Sequence, residues 1–214
     1  MIQRVYEGAV QCKSLDEVVV ATDDQRIYDA VKTFGGNVEM TSEMHPSGTD
    51  RCGEVAAKYH ADVVVNVQGD EPLVNPGQID TLCAAFSDES VSIATLGHTK
   101  VSKEDLDDLN RVKVVCDHKG DALYFSRSPI PSTGRASEKA TSEFPFMRHI
   151  GLYAYRKETL QELIQLQPCP LEQMEALEQL RWMHYGYKIR VIPTDIETPN
   201  IDTPEDLNNV LDAL

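Results

Sequence analysis

The feature that most constrains this chain is Val63-Val64-Val65-Asn66-Val67, a run of apolar, β-branched residues closed by Gln68-Gly69-Asp70. A strand with one wet face alternates apolar and polar side chains. A run without that alternation suits a strand covered on both faces, which calls for helices on each side of a sheet. The preceding sequence supplies such helices. Ile2, Val5, Tyr6, Ala9 and Val10 recur at helical spacing, so an amphipathic helix opens the chain. Val18-Val19-Val20-Ala21 reads as a short strand, and Thr22-Asp23-Asp24 caps a helix whose Ile27, Tyr28, Val31 and Phe34 share one face. Gly35-Gly36 ends that helix, Val38-Glu39-Met40 follows, and another helix runs through Glu54 and Ala57. Strands alternating with helices predict an α/β fold with a mostly parallel, doubly wound sheet.

The pattern changes near residue 110. Val112-Lys113-Val114-Val115-Cys116 and Ala122-Leu123-Tyr124-Phe125 flank Asp117-His118-Lys119-Gly120, a hairpin signal, so the strand order becomes mixed there. Residues 127–145 carry three prolines among small polar residues and read as a long ordered loop or arm rather than a linker. Helical patterns at 157–166 and 171–185 precede the strand Ile189-Arg190-Val191-Ile192. With 214 residues and 41% hydrophobic content, the whole of 1–214 is expected to form one domain, with an arm region at about 110–150.

Charge narrows the partners. Twenty Lys and Arg against 35 Asp and Glu give a net charge of -15, and no basic stripe is present, so nucleic acid and anionic membranes are poor partners. A cleft can still take an anion if a metal ion and local Arg or Lys reverse the field inside it. Cys12, Cys52, Cys83, Cys116 and Cys169 show no metal or redox spacing and read as reduced thiols. The first residues lack the apolar run of a signal peptide, and no later stretch is long enough for a membrane span, so the expected location is cytoplasmic.

Open α/β sheets bind ligands beyond the carboxyl ends of their strands, which directs attention to Gln68-Gly69-Asp70-Glu71-Pro72. Gly69 allows close approach of a ligand and Asp70 supplies a carboxylate; the same two residues also suit an ordinary turn. Near the C-terminus, Thr203, Pro204 and Asp206 have the makings of a helix cap that leaves Asp202 unused. Asp202 is then either a solvated loop residue or a second carboxylate aimed at the cleft of Asp70. Two such oxygens, with water and phosphates completing the shell, is the usual way a protein holds Mg²⁺.

Several segments occur together and in order: His45-Pro46-Ser47-Gly48-Thr49-Asp50-Arg51, Val67-Gln68-Gly69-Asp70-Glu71-Pro72, Tyr124-Phe125-Ser126-Arg127, Arg148-His149-Ile150-Gly151-Leu152-Tyr153-Ala154-Tyr155-Arg156, Leu177-Glu178-Gln179-Leu180-Arg181 and Ile201-Asp202-Thr203-Pro204-Glu205-Asp206-Leu207. In these the chain resembles the CMP-Kdo synthetases, the 3-deoxy-manno-octulosonate cytidylyltransferases. The resemblance implies a Rossmann-like nucleotidyltransferase sheet with an inserted hairpin arm, and transfer of CMP from CTP to Kdo, an acidic eight-carbon sugar of lipopolysaccharide, with release of pyrophosphate. It implies Asp70 and Asp202 as catalytic ligands of Mg²⁺. Ser47, Gly48, Arg51 and Gln68 would hold the nucleotide, and Arg127, His149, Tyr153, Glu178 and Gln179 the sugar. It also implies a homodimer.

Several of these assignments have a plainer alternative. Ser47-Gly48-Thr49 is also a good helix start with Arg51 in its first turn. A lone His149 beside a strand is commonly a hydrogen-bonded structural residue. Glu178 and Gln179 also suit the exposed face of a helix. Arg127 has no structural use that the sequence reveals. The chain departs from the family in having Asn200 where Gly is expected, and in showing no apolar first strand or Gly-Lys phosphate loop ahead of its first helix. The sheet is therefore expected to lack a central strand, with loss of stability and activity. Another acidic sugar as acceptor, or an inactive binding or assembly subunit, are the readings that compete with Kdo transfer.

Overall fold

In the computed structural model, which describes residues 1–197, the elements run α1 (Ile2–Ala9), β1 (Val20–Thr22), α2 (Gln25–Thr33), β2 (Val38–Met40), α3 (Gly48–Ala57), β3 (Val63–Asn66), α4 (Pro76–Ala84), β4 (Ile93–His98), α5 (Lys103–Asp107), β5 (Lys113–Cys116), β6 (Ala122–Ser126), α6 (Glu138–Glu143), β7 (Met147–Arg156), α7 (Lys157–Leu163), α8 (Pro170–Glu175), α9 (Gln179–His184) and β8 (Arg190–Thr194). The alternation of side chains along β7 explains the layering. Tyr153 and Tyr155 point into a cluster with Trp182, Leu160, Leu163, Leu180 and Phe125. Leu152 and Ala154 point the other way, onto Ile79, Leu82 and Leu96. Successive Cβ atoms of a strand leave on opposite faces, so one ten-residue strand organises both halves of the core. Helices α3, α7 and α9 cover one face, and α4 the other.

The fold is α/β, as expected, but the pairing is more mixed than mostly parallel. β4 pairs β8 in parallel and β1 pairs β2 in parallel. β7 runs antiparallel to β3, β4 and β5, and the β5–β6 hairpin is antiparallel. β7 lies between β3 and β4, so these two strands keep one direction without touching. The hairpin turn forms as its sequence indicated, with Gly120 at φ +82, a conformation that suits glycine. The expected helix over 171–185 is broken in two. Ala176 at φ 52 ends α8, and the kink buries both Leu177 and Leu180. The loop over 127–145 contains α6, capped by the Ser137 hydroxyl, which accepts from the Ala140 amide.

β1 and β2 form a separate sheet from the six strands around β7. Among the described strands β1 pairs only with β2, and β3 only with β7. Their other edges border a cleft of about 810 Å³ lined by Val18–Ala21, Val63–Gly69 and the α1 residues Ile2, Val5, Tyr6 and Ala9. All four residues of β3 stay half-buried, although three of them are valines. No helix among the described residues is long and apolar enough to cross a membrane, and all five cysteines are free.

Candidate active site

The site begins at the N-terminus of α3. Ser47 is extended (φ -143, ψ 165), and its hydroxyl accepts from the Asp50 amide at 3.2 Å, so the capping reading of Ser47-Gly48-Thr49 holds locally. Gly48 is exposed, and a Cβ built there would meet only the Gln68 side-chain amide, at 3.7 and 3.8 Å. Gly48, Arg51, Gln68 and Gly69 thus line the same cleft. Arg51 is anchored across three elements. It donates to Asp23 Oδ2 at 2.7 Å, beyond the end of β1, to the Thr41 hydroxyl after β2, and to the Ser42 carbonyl at 3.4 Å. One guanidinium fork therefore fixes the ends of the smaller sheet against α3.

Asp70 lies in the exposed turn that follows β3. Beside it Glu71 is only 3% exposed, and its Oε1 has no partner. Burial, and then the charge of Asp70, pushes the Glu71 carboxyl up to about 7. Asp202 and the capping segment after it lie outside the described residues, so Asp70 is the described member of the expected metal pair. No cluster of three or more His, Cys, Asp or Glu that could hold a metal occurs among the described residues. An exposed carboxylate of this kind suits a hard ion that takes most of its ligands from water and phosphate oxygens.

A second wall is aromatic and is packed into the core rather than lining that cleft. Tyr153 stacks on Tyr155 with ring centroids 5.9 Å apart, and Trp182 meets both rings edge-on at 5.1 and 5.6 Å. His149 packs between Phe125 and Tyr153 at 5.0 and 5.3 Å. Its Nε2 lies 3.0 Å from the Thr95 hydroxyl, whose single proton is aimed at the carbonyls of Ile150 and Leu152. His149 must then donate from Nε2, which assigns its tautomer. Burial, and secondarily the charge of Arg148, lowers its pKa to about 3. Four polar atoms on this wall are buried without a partner: Tyr153 OH, Tyr155 OH, Gln179 Nε2 and Trp182 Nε1. Such groups carry a cost unless something fills their hydrogen bonds.

Arg127 turns out to have structural work. Its Nε donates to Glu175 O at 2.8 Å and its NH2 to Ala176 O at 3.3 Å, which satisfies carbonyls freed where α8 breaks. NH1 reaches Leu109 O at 3.2 Å. The Arg127 carbonyl in turn accepts from the buried Lys113 ammonium, which also donates to Asp108 O at 2.8 Å and Arg111 O at 2.7 Å.

The two walls meet at Glu178. The Ser47 hydroxyl lies 2.9 Å from Glu178 Oε1 and 2.6 Å from Asp50 Oδ2, and Thr49 donates to Glu178 Oε2 at 2.7 Å. Glu178 and Gln179 are thus not on a solvated face; Gln179 is 5% exposed. The structure brings together Ser47, Gly48, Arg51 and Gln68 on the cleft side and Tyr153, Glu178 and Gln179 on the aromatic side. Sequence reasoning missed Thr49, Asp50, Asp23 and Trp182. Asp50 had a signal, since Ser47-x-x-Asp50 has capping-box spacing. Asp23 had none, because its partner Arg51 is brought to it only by folding.

A family model described as cytidylyltransferase matches residues 1–189. The 3-deoxy-manno-octulosonate cytidylyltransferase of Geobacter metallireducens is 46% identical over 221 residues, spanning 100% of this chain and 87% of the relative. The protein of the same name from Parabacteroides distasonis is 50% identical, spanning 99% and 86%. A solved CMP:2-keto-3-deoxy-manno-octonic acid synthetase complexed with CTP aligns with a TM-score of 0.92 at 43% identity, over 99% of this chain and 86% of the other. A cytidylyltransferase from Leptospira borgpetersenii, at 15% identity and a TM-score of 0.60 over 98% and 73% of the two chains, shares the fold.

Proposed function

This chain belongs to the cytidylyltransferase family and, within it, to the 3-deoxy-manno-octulosonate cytidylyltransferases, and from that membership we propose how its residues divide the work. The reaction is transfer of CMP from CTP to Kdo with release of pyrophosphate, a sugar activation for lipopolysaccharide synthesis. The observation that supports the division is the meeting of two unlike walls at Glu178: a cleft edge of backbone, amide and guanidinium, and an aromatic wall with unfilled hydrogen bonds.

On the cleft side, Ser47, Gly48, Arg51 and Gln68 hold the nucleotide. Gly48 leaves an open face at the helix start, and the Gln68 amide next to it offers both a donor and an acceptor. On the other side we assign Tyr153 and Gln179 to the sugar, with Glu178 between the two substrates; their polar atoms are buried and unpartnered, so sugar hydroxyls reach them only where the packing around Glu178 opens. His149 has one nitrogen committed to Thr95, which leaves Nδ1 as an acceptor. Arg127 reaches the sugar carboxylate only by exchanging carbonyl contacts around α8, so in this scheme its main effect is to fix that wall.

Asp70 and Asp202 are the residues that would hold Mg²⁺. When bound, the ion would offset α-phosphate charge and favour ionisation of the attacking hydroxyl. The chain's own contribution is geometric: the strand end fixes Asp70, and the two walls set the angle between the substrates. Asp70→Asn should lower kcat for pyrophosphate release from CTP and Kdo by about 100-fold or more. Near-normal turnover would remove Asp70 from the metal site. The sugar assignment is checked in the same assay by replacing Kdo with a sialic acid; equal kcat/KM for both would broaden the acceptor class.

The arm is the surface we assign to a homodimer. The helix α6 has no buried residue, Phe144 is 39% exposed against Phe146, and Leu123 on the adjacent strand β6 is 61% exposed. Sedimentation at micromolar concentration should give a dimer, and a clean monomer would leave the arm without this role. Free thiols and a cytosolic nucleotide substrate favour a cytoplasmic location.

A further inference from the structure

The cluster at the junction of the two walls contains one hydroxyl between two carboxyl groups. The Ser47 hydroxyl is 2.6 Å from Asp50 Oδ2 and 2.9 Å from Glu178 Oε1, and it already accepts from the Asp50 amide at 3.2 Å. A hydroxyl has one proton and two lone pairs. If both carboxyls were ionised, one of these contacts would set oxygen lone pairs against each other. The set closes if one carboxyl is protonated: the hydroxyl then accepts twice and donates once. The distances indicate which one. A hydroxyl donating to a carboxylate gives a short bond of about 2.5–2.7 Å, which matches the Asp50 contact, whereas the Glu178 contact has the length of a neutral pair. Asp50 also lies in the first turn of α3, where the helix favours negative charge.

We propose that Glu178 works as a neutral carboxylic acid that donates to Ser47 while Ser47 donates to Asp50, with Thr49 and Asp50 as positioning residues that keep it so. The groups facing Glu178 are consistent with this. Thr49 donates to Oε2 at 2.7 Å, which leaves Oε1 to carry the proton. Arg181, one turn on, is engaged by Glu172, with Nε 2.8 Å from Oε2. Tyr153 and Tyr155, across from it on β7, are neutral, their pKa values raised well above the usual range chiefly by burial, with Glu178 and, for Tyr155, Cys52 among the secondary causes. Burial also raises the pKa of Glu178 itself, against the hydrogen bond from Thr49, the Ser47 contact and the charge of Arg181, and with a contribution from Asp50.

The consequence rests on the sugar-site reading above. A neutral carboxyl offers both a donor and an acceptor, and it does not repel the carboxylate of an acidic sugar. Ionised, the same group would place a second negative charge beside Asp50 where an anion must enter.

The test has one arm without substrate and one with it. Protein carrying ¹³C-labelled glutamate is titrated by infrared spectroscopy, and the Glu178→Gln spectrum is subtracted to remove Glu71 and the other carboxyls. The expected difference is a carboxylic acid C=O band at neutral pH that disappears at higher pH. Asp50→Asn should move that loss to lower pH, because a repelling charge is gone. Thr49→Val should move it higher, because a bond to the ionised form is gone. A carboxylate-only band at neutral pH in the folded protein, or shifts of the same sign in both variants, overturns the proposal. In the substrate arm, KM for Kdo should rise about tenfold per pH unit above the titration point, with KM for CTP flat. A titrating acid band with a flat KM for Kdo would support the proton assignment and instead overturn Glu178 as a sugar ligand.

Discussion

β3 and β4 are two strands of the same sheet with opposite fates. All six residues of β4 are buried, and it is paired on both sides, by β7 and β8. β3 has the more uniformly apolar sequence, yet all its residues are half-buried and it is paired on one side among the described strands. The difference teaches that an apolar run states a demand for cover, and the topology decides whether that demand is met. The site straddles this boundary. Gly48, Arg51 and Gln68 border the open half, Tyr153 and Gln179 belong to the closed half, and Glu178 joins them through Ser47 and Thr49.

The largest effect should distinguish the halves by mutation. Trp182 is 1% exposed and touches both tyrosines, so Trp182→Ala should cost about 3–5 kcal/mol. Val65→Ala, on the half-buried strand, should cost about 1 kcal/mol. Urea denaturation measures both. Equal costs at the two positions would break the comparison.

A smaller effect than the loss of Trp182 concerns pH in the closed half. His149 has a folded pKa of about 3, below the ~6.5 of the unfolded chain, so the unfolded state binds the proton first as pH falls. Its contribution is complete above about pH 6.5 and is lost progressively down to about 3. At pH 5 the loss should be about 2 kcal/mol relative to pH 7.5. His149→Gln should flatten that slope in melting experiments, whereas an equal slope in the variant would assign the acid sensitivity to other groups.

Much of the fold was legible because its signals are local. The cap at Asp24 accepts from the Arg26 amide, as its position before an apolar-periodic segment indicated. The Gly120 turn and the periodic helices follow from the same kind of reading. The break at Ala176 was not legible, since alanine is a strong helix former, and only carbonyl contacts from Arg127 and the joint burial of Leu177 and Leu180 favour a left-handed residue there. The antiparallel course of β7 was hidden for a related reason: a strand buried on both faces reads the same in either direction.

In the site, the sequence determined the chemical inventory: a capped helix start at Ser47-Gly48, a strand ending in Gln68-Gly69-Asp70, and the polar pair Glu178-Gln179. It determined these because caps, strand ends and residue types are properties of short segments. Only the tertiary structure decided that Arg51 would be held by Asp23, that Arg127 would serve the end of α8, and that Glu178 would share a hydroxyl with Asp50. Those outcomes depend on groups 28, 48 and 131 positions apart, and no short-range pattern records which distant polar groups burial will force to satisfy one another.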